Sequence, residues 1–445
     1  MFQLPTSNLQ PPLFMDKKKF LFVSYEALIS DIAWQVVKEG HDVKYFIDNK
    51  DEADIGDGFV PKCDNWEKEV DWADVIIFDD VLGHGTMADK MRAKGKLVVG
   101  GSAYTDMLED DRSFGQEELK KYGIPIIPYE NFTSLDDGIE FVKKNPGKYV
   151  IKPSGEAQNI KLFLFVGEEE DGKDVIQVLE AYKKIAKKQI KVYQLQRKVG
   201  GVEVAVGAFF NGSQFVYPIN VNFEHKKLFP GNIGPSTGEM GTTMFWSDPN
   251  KIFNNTLIKM EPKLKEEKYV GYIDLNCIVN NNGIYPLEFT ARFGYPTIFI
   301  QQEGINMPIS EFLYGLADGS LTRFKAKSGF QIGVRLVRSP FPYGADLKIL
   351  EQHQRETVVI FKKPNGEGVH IEDVKLVDNE WVLTGTSGVS LVVVGCGQTM
   401  KQAQHQVYSR IQNILIPDMY YRTDIGDRWF EDSDKLHNWG YLRET

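Results

Sequence analysis

At 445 residues the chain is long enough for roughly three domains of about 150 residues each, and its 42% apolar and 26% charged content excludes disorder and fibrous architectures. Lys plus Arg (52) against Asp plus Glu (62) gives a net charge of −10, which argues against nucleic acid as a partner but leaves room for a local basic pocket holding one nucleotide. Cys63, Cys277 and Cys396 form no CxxC pair or zinc-ligand spacing, and the opening MFQLPTSNLQPPLFMDKKKF has neither a signal-peptide pattern nor a span of ~20 apolar residues, so a soluble cytoplasmic chain with no membrane partner is expected.

Residues 1–17 read as an irregular arm. From Lys17 the pattern is strand (KKFLFVS), helix (ALISDIAWQVVKEG), strand (HDVKYFID), then two further strands, VDWADVIIFDD and KGKLVVGG, around a helical MADKMRAKG. Residues 18–110 therefore predict a small doubly wound parallel sheet. RSFGQEELKKYG and LDDGIEFVKK predict helices, KYVIKP a strand and DVIQVLEAYKKIAKK a Lys-rich helix. Antiparallel strands follow, with one hairpin turning at Asn211-Gly212 and another at Asn282-Gly283. NKIFNNTLIKMEPKLKEE and MPISEFLYGLADGSL are expected helices, and the remainder to Arg428 is strand-rich with one helix, MKQAQHQVYSRIQNI. No internal repeat is visible.

The second hairpin carries the densest chemistry. Asp274 lies in one strand and Glu288 in the other, with Thr290 and Arg292 on the Glu288 face. Two carboxylates and a hydroxyl suit a magnesium ion that also holds nucleotide phosphates, and the guanidinium suits a transferring phosphoryl group. A solvated face of an edge hairpin accounts for the same alternation about as well. HKKLFPGNIGPSTGEMGTTMFW sets Gly231, Gly234, Gly238 and Gly241 among hydroxyls, after three positions able to carry charge, His225, Lys226 and Lys227. Glycines free the backbone amides to face an anion and the lysines add charge, although the spacing is neither a P-loop nor GxGxxG. A flexible surface loop is disfavoured, because it would expose Met240, Met244, Phe245 and Trp246. Lys152 ends an apolar strand, where it can reach a phosphate or merely snorkel, and Glu203 follows Gly200-Gly201 into a strand, where it can hold a ribose or simply face solvent.

Taken in order, these segments resemble the ATP-grasp ligases, specifically phosphoribosylamine–glycine ligase. GPSTGEMG is similar to the family's GPNTGGMG, PLEFTARFGYP to IEFNCRFGDP and YYRTDIGDRW to YRKDIG, with GCGQTMKQAQHQVY similar to the turn and helix before the last. The resemblance implies an α/β and α+β multidomain chain: the doubly wound N-terminal domain, an ATP-grasp domain over 111–328 with a lid near 122–195, and a small β-rich C-terminal domain over 329–445. It implies ATP and Mg²⁺ (or Mn²⁺) as cofactors. Arg112, Lys152, Lys161, Gln196, Lys198, Val199 and Glu203 are then expected at the nucleotide, and Glu288, Thr290 and, less firmly, Asp274 at the metal. Arg292 and Lys226 are the candidate catalytic residues. The expected partners are a small-molecule carboxylate and an amine, joined through an acylphosphate.

Two departures from the family pattern fall at the metal and nucleotide, Thr290 in place of an asparagine and a lid loop that keeps only Gly155, and they feed the view of a silent sensor. The others lie away from the nucleotide positions: SYEALISDIA replaces the GGREHAL turn, the arginine of NGGRV falls on Val389, and Tyr295 and Thr297 replace Asp and Glu after RFG. A changed acceptor is the reading these departures favour. An authentic phosphoribosylamine–glycine ligase and a catalytically silent ATP sensor remain as alternatives.

Overall fold

The computed structural model describes residues 15–79, 83–153, 163–185, 189–343, 356–364 and 366–442. The chain forms two compact units, the first from 1–109, 204–275 and 289–445, the second from 110–203 and 276–288.

The first unit opens with β1 (Lys19–Ser24), α1 (Ser30–Lys38), β2 (Asp42–Ile47), β3 (Val75–Phe78), α2 (His84–Ala93) and β4 (Leu97–Val99). The strands pair in parallel in the order β2-β1-β3-β4, the doubly wound start expected from the alternating strand and helix signals. β3 is apolar throughout and buried at every position, as a central parallel strand must be. The helix α3 (Ala103–Asp110) follows.

The second unit contains α4 (Arg112–Lys121), β5 (Tyr129–Phe132), α5 (Leu135–Lys144), β6 (Tyr149–Pro153), β7 (Phe165–Val166), α6 (Lys173–Ile185) and β8 (Tyr193–Arg197). Its antiparallel sheet runs β5-β8-β6-β7. Asp111 caps α4 by accepting from the Ser113 and Phe114 amides, and Ser134 caps α5. A core of Leu135, Ile139, Val142, Tyr149, Ile151, Leu179 and Leu195 binds the helices to one face of the sheet.

Next come β9 (Val202–Asn211), β10 (Phe215–Glu224), β11 (Lys227–Phe229), β12 (Ile233–Ser236), β13 (Gly241–Ser247), α7 (Lys251–Asn255), α8 (Glu261–Glu266), β14 (Val270–Asn280), β15 (Gly283–Thr290), α9 (Thr297–Gly304) and α10 (Ile309–Ala317). The last stretch holds β16 (Phe330–Val337), β17 (Ile360–Phe361), β18 (Val369–Ile371), β19 (Val374–Val377), β20 (Glu380–Leu383), β21 (Val389–Gly397), α11 (Met400–Ile411) and α12 (Trp429–Asn438). Eight of these strands form one sheet, β15-β14-β9-β10-β13-β16-β21-β18.

Two expectations need correction. The helix expected over residues 250–267 is broken, because Thr256 takes φ −126°, ψ −95° and its hydroxyl bonds back to the Ile252 carbonyl, after which Pro262 opens a fresh helix at α8. The helix α9 was not expected at all. Most of its residues are buried, so it shows no apolar stripe to read. Among the described residues no helix is long and apolar enough to cross a membrane, and the three cysteines are free thiols.

Candidate active site

In the second unit, the β6–β8 register sets Lys152 opposite Gln194 and Val150 opposite Gln196, so Lys152, Gln194 and Gln196 share the face turned away from the apolar core. Gln194 donates from Nε2 to Gln116 Oε1 at 3.1 Å and to Asn131 Oδ1 at 3.4 Å. Gln116 lies four residues, about one helical turn, beyond Arg112 on α4, so the two share a helix face. Arg112 Nη1 and Gln196 Nε2 are buried and meet no acceptor. Burial works against the Arg112 cation, and the Glu288 carboxylate partly offsets that cost.

Glu203 is half-buried and accepts from Asn276 Nδ2 at 2.9 Å. A Cβ at Gly201 would lie 2.4 Å from the Val279 carbonyl, so the glycine is what lets the chain enter β9 this close to β14. Lys198 forms an ion pair with Glu168, and Val199 is half-buried between β8 and β9. Lys161 and Gly155 lie outside the described residues.

The glycine loop of the first unit is closed on itself. The Thr237 amide and hydroxyl both donate to the Lys226 carbonyl, at 2.7 and 2.8 Å, and the Met240 amide donates to the His225 carbonyl at 2.9 Å. Met240, Met244 and Phe245 are buried, as expected for a built loop. His225 does not carry the charge expected of it, since burial, with Arg428 and Arg422 nearby, pushes its pKa down to about 3. Arg422, 1% exposed, forks onto Asp424 at 2.8 and 2.7 Å and donates to the Lys227 carbonyl and Asn232 Oδ1. Asp424 in turn accepts from the Gly231 amide at 2.9 Å. The YYRTDIGDRW segment is thus a buttress for the glycine loop, a role that its Arg-x-Asp spacing hints at but does not specify.

Lys226 pairs with Glu224 at 3.2 Å. Asp274 is 2% exposed, and its titration is raised by burial, then by Glu224 and Glu109. Glu288 is exposed and Thr290 half-buried, two positions apart on β15. Among the described residues no group of three or more His, Cys, Asp or Glu stands close enough to hold a metal. The oxygen donors of Glu288 and Thr290 suit a hard cation whose remaining ligands are phosphates and water.

Arg292 pairs with Glu109 at 2.8 Å and lines a cleft of about 220 Å³, open to solvent, at the carboxyl ends of β3 and β4 with Asp79, Gly100 and Gly101. Such strand ends are where open parallel sheets place their ligands. The Tyr295 hydroxyl donates to the Asp79 carbonyl at 2.8 Å and the Ser24 hydroxyl to the Asp79 carboxylate, so two of the departures from the family pattern meet at one residue. Val389 lines a second cleft, about 330 Å³, with Thr386, Ser390 and Arg338. Arg338, from the segment after β16, thus places a cation in the same cleft as position 389. Sequence alignment could not show it, because the two positions come from different strands.

Residues 110–298 match the family described as "Phosphoribosylglycinamide synthetase, ATP-grasp (A) domain". The phosphoribosylamine–glycine ligase of Halalkalibacterium halodurans is 26% identical over 364 residues, covering 77% of this chain and 79% of the relative. That of Streptococcus suis is 24% identical, covering 82% and 86%. The chain is an ATP-grasp protein related to phosphoribosylamine–glycine ligase. The crystal structure of the Thermotoga maritima phosphoribosylamine–glycine ligase superposes on this ATP-grasp chain with a TM-score of 0.67 at 21% identity, covering 92% of the chain and 100% of that structure. The biotin carboxylase domain of the Hydrogenobacter thermophilus 2-oxoglutarate carboxylase, solved with MgADP and bicarbonate, gives 0.61 at 13% identity, covering 96% and 100%. The fold expected from the resemblance, a parallel N-terminal sheet, central ATP-grasp domains and C-terminal strands, is the fold observed.

Proposed function

We propose that this ATP-grasp ligase homologue joins a carboxylate to an amine at the expense of ATP, with an acceptor other than phosphoribosylamine. The observation that carries the nucleotide half is the pair of buried, unmet donors, Arg112 Nη1 and Gln196 Nε2, on the layer that also bears Lys152. Buried donors cost free energy unless a ligand supplies acceptors, and a nucleotide is rich in them. Lys152 and Arg112 would hold phosphate oxygens and Glu203 the ribose hydroxyls. Mg²⁺, when bound, neutralises phosphate charge, and Glu288 and Thr290 are the residues that would hold it.

The substrate carboxylate oxygen attacks the γ-phosphorus, the bond to the bridging oxygen breaks and ADP leaves. The neutral amine then attacks the acyl carbon of the acylphosphate. A C–N bond forms, the C–O bond to phosphate breaks, phosphate departs and the amine proton passes to solvent. Charge on the transferring group is spread over its oxygens, so the task of Arg292 and Lys226 is electrostatic.

One observation favours the second reading, an authentic phosphoribosylamine–glycine ligase. Arg338 beside Val389 restores a cation suited to a phosphorylated acceptor. Phosphate release from MgATP, screened over amino acids against amines and including freshly generated phosphoribosylamine with glycine, tests both. Release with another pair supports the proposal. Release only with phosphoribosylamine and glycine, as fast as an authentic enzyme run alongside, overturns the altered acceptor, and nucleotide binding with no turnover for any pair overturns the ligase.

A further inference from the structure

One face of the eight-stranded sheet, within the first unit, buries acidic groups whose charge the neighbouring cations do not balance. The β10–β13 register sets Glu224 opposite Thr242 and Asn222 opposite Met244, so Glu224, Asn222 and Thr242 stand on the same face. A Cβ at Gly207, opposite Asn220, would lie 2.5 Å from the Asp274 Cβ and 2.2 Å from the Tyr272 hydroxyl, which places Asp274 and Tyr272 on that face as well. Glu239 enters from the glycine loop just before β13, and its carbonyl accepts from Arg335 Nη1 at 3.2 Å.

The cations on this face are already engaged. Arg335 is committed to Glu372 through two bonds of 3.0 and 2.6 Å, and Lys226 is paired with Glu224. Glu239 and Asp274 remain, 6% and 2% exposed, and Glu239 Oε1 and Asp274 Oδ1 have no hydrogen-bond partner. Two fully buried neighbours, Asn222 Oδ1 and Thr242 Oγ1, are also unpartnered. Each carboxyl keeps one buried oxygen without a partner, and burial followed by Glu224 raises the titration of both, so the empty site disfavours their charged forms and a cation between them would restore those forms. Among the described residues no three acidic groups stand close enough to share a metal ion. An alkylammonium fits better, because it brings three donors and no acceptor. The side chains of Lys226 and Glu224, 33% and 16% exposed, mark the side from which it would enter. Glu239 also stands where GPNTGGMG has a glycine, so the charge is a departure from the family pattern.

We propose that Glu239 and Asp274 hold a protonated primary amino group of the acceptor, so that the acceptor is a diamine or a basic amino acid whose second, neutral amine is the one acylated. The acceptor assignment rests on the ligase reading; the ammonium site itself does not. It also takes Asp274 from the metal role that the family resemblance implies.

Calorimetric titration of the full chain with 1,4-diaminobutane, with n-butanol as uncharged control, tests the site without turnover. Saturable binding of the diamine alone is expected, weakened at least tenfold in Glu239→Gln and in Glu239→Gly, with ATP affinity unchanged in both as the folding control. Absence of saturable binding, equal binding by parent and both variants, or displacement of the diamine by an equal concentration of Mg²⁺ overturns the site. Amine binding without phosphate release for any pair would instead sink the ligase reading while the site stands. Phosphate release driven by a neutral monoamine and indifferent to Glu239→Gln would sink the site while the ligase reading stands.

Discussion

In the second unit, amide meets amide across Gln116, Gln194 and Asn131, and the groups left over are donors, Arg112 Nη1 and Gln196 Nε2. On the buried sheet face of the first unit the cations are committed to Glu372 and Glu224, and the groups left over include the carboxylate oxygens of Glu239 and Asp274. A layer short of acceptors awaits an acceptor-rich ligand, and a layer short of donors awaits a cation. The contrast separates polar groups that hold the protein together from polar groups that hold something else. Removing the first kind costs stability, and removing the second kind costs binding or rate.

The largest effect is expected from Arg422→Ala. It strands the Asp424 carboxylate, the Lys227 carbonyl and Asn232, and breaking a buried ion pair from one side costs about 3–4 kcal/mol. A urea midpoint close to that of the parent would show that the buttress is not structural. Glu288→Gln should leave the midpoint unchanged and slow turnover ~100-fold, about 3 kcal/mol of transition-state stabilisation. A parental rate would remove Glu288 from the metal.

Next comes His370, buried between Asp31 at 2.7 Å and Glu303 at 3.5 Å. Burial alone would discharge it, but the two carboxylates outweigh burial and lift its pKa to about 9, while Glu303 is drawn down to about 2. The folded chain therefore keeps a proton that the unfolded chain releases near pH 6.5. The contribution is full below that pH and is lost as pH rises through about 9, on the order of 3 kcal/mol. On the acid side, the Glu303 contribution is lost as pH falls from about 4.5 towards 2. His370→Asn should abolish the alkaline loss of stability; an unchanged slope from pH 6.5 to 9 would refute it. The smallest effect is expected from Glu239→Gln, which should stabilise the ligand-free chain by at most about 1 kcal/mol because it replaces a carboxyl whose charged form burial and Glu224 disfavour. A destabilised variant would mean that Glu239 belongs with the groups that hold the protein together.

Periodicity made the frame readable. The parallel start follows from apolar runs alternating with a helix, and the β14–β15 hairpin from two apolar-rich runs around an Asn-Gly pair, with alternation about Glu288 in the second. The nucleotide candidates Lys152 and Gln196 were readable only through the family resemblance, since the register that puts them on one face joins strands more than forty residues apart. What stayed hidden depends on contacts between distant segments. Glu239 is one polar residue in a glycine loop, and only the fold shows that its neighbours are Glu224, Asp274 and an already engaged Arg335. Arg338 reaches the Val389 cleft from a distant segment, and the low pKa of His225 comes from its burial near two arginines.

The second unit is assembled from residues 110–203 and 276–288, so the backbone passes between the units four times. No single cut can release that unit, and no contiguous stretch of gene encodes it alone. On the ribosome, residues 110–203 must wait for 72 further residues, 204–275, before the hairpin that bonds to Glu203 and Gly200 begins to emerge, a delay of roughly 4–14 s at ~5–20 residues per second. During that interval Gly201 has no Val279 to approach and the Glu203 carboxylate no Asn276. A nascent chain arrested before residue 276 would therefore present the first segment of the unit without its closing strands.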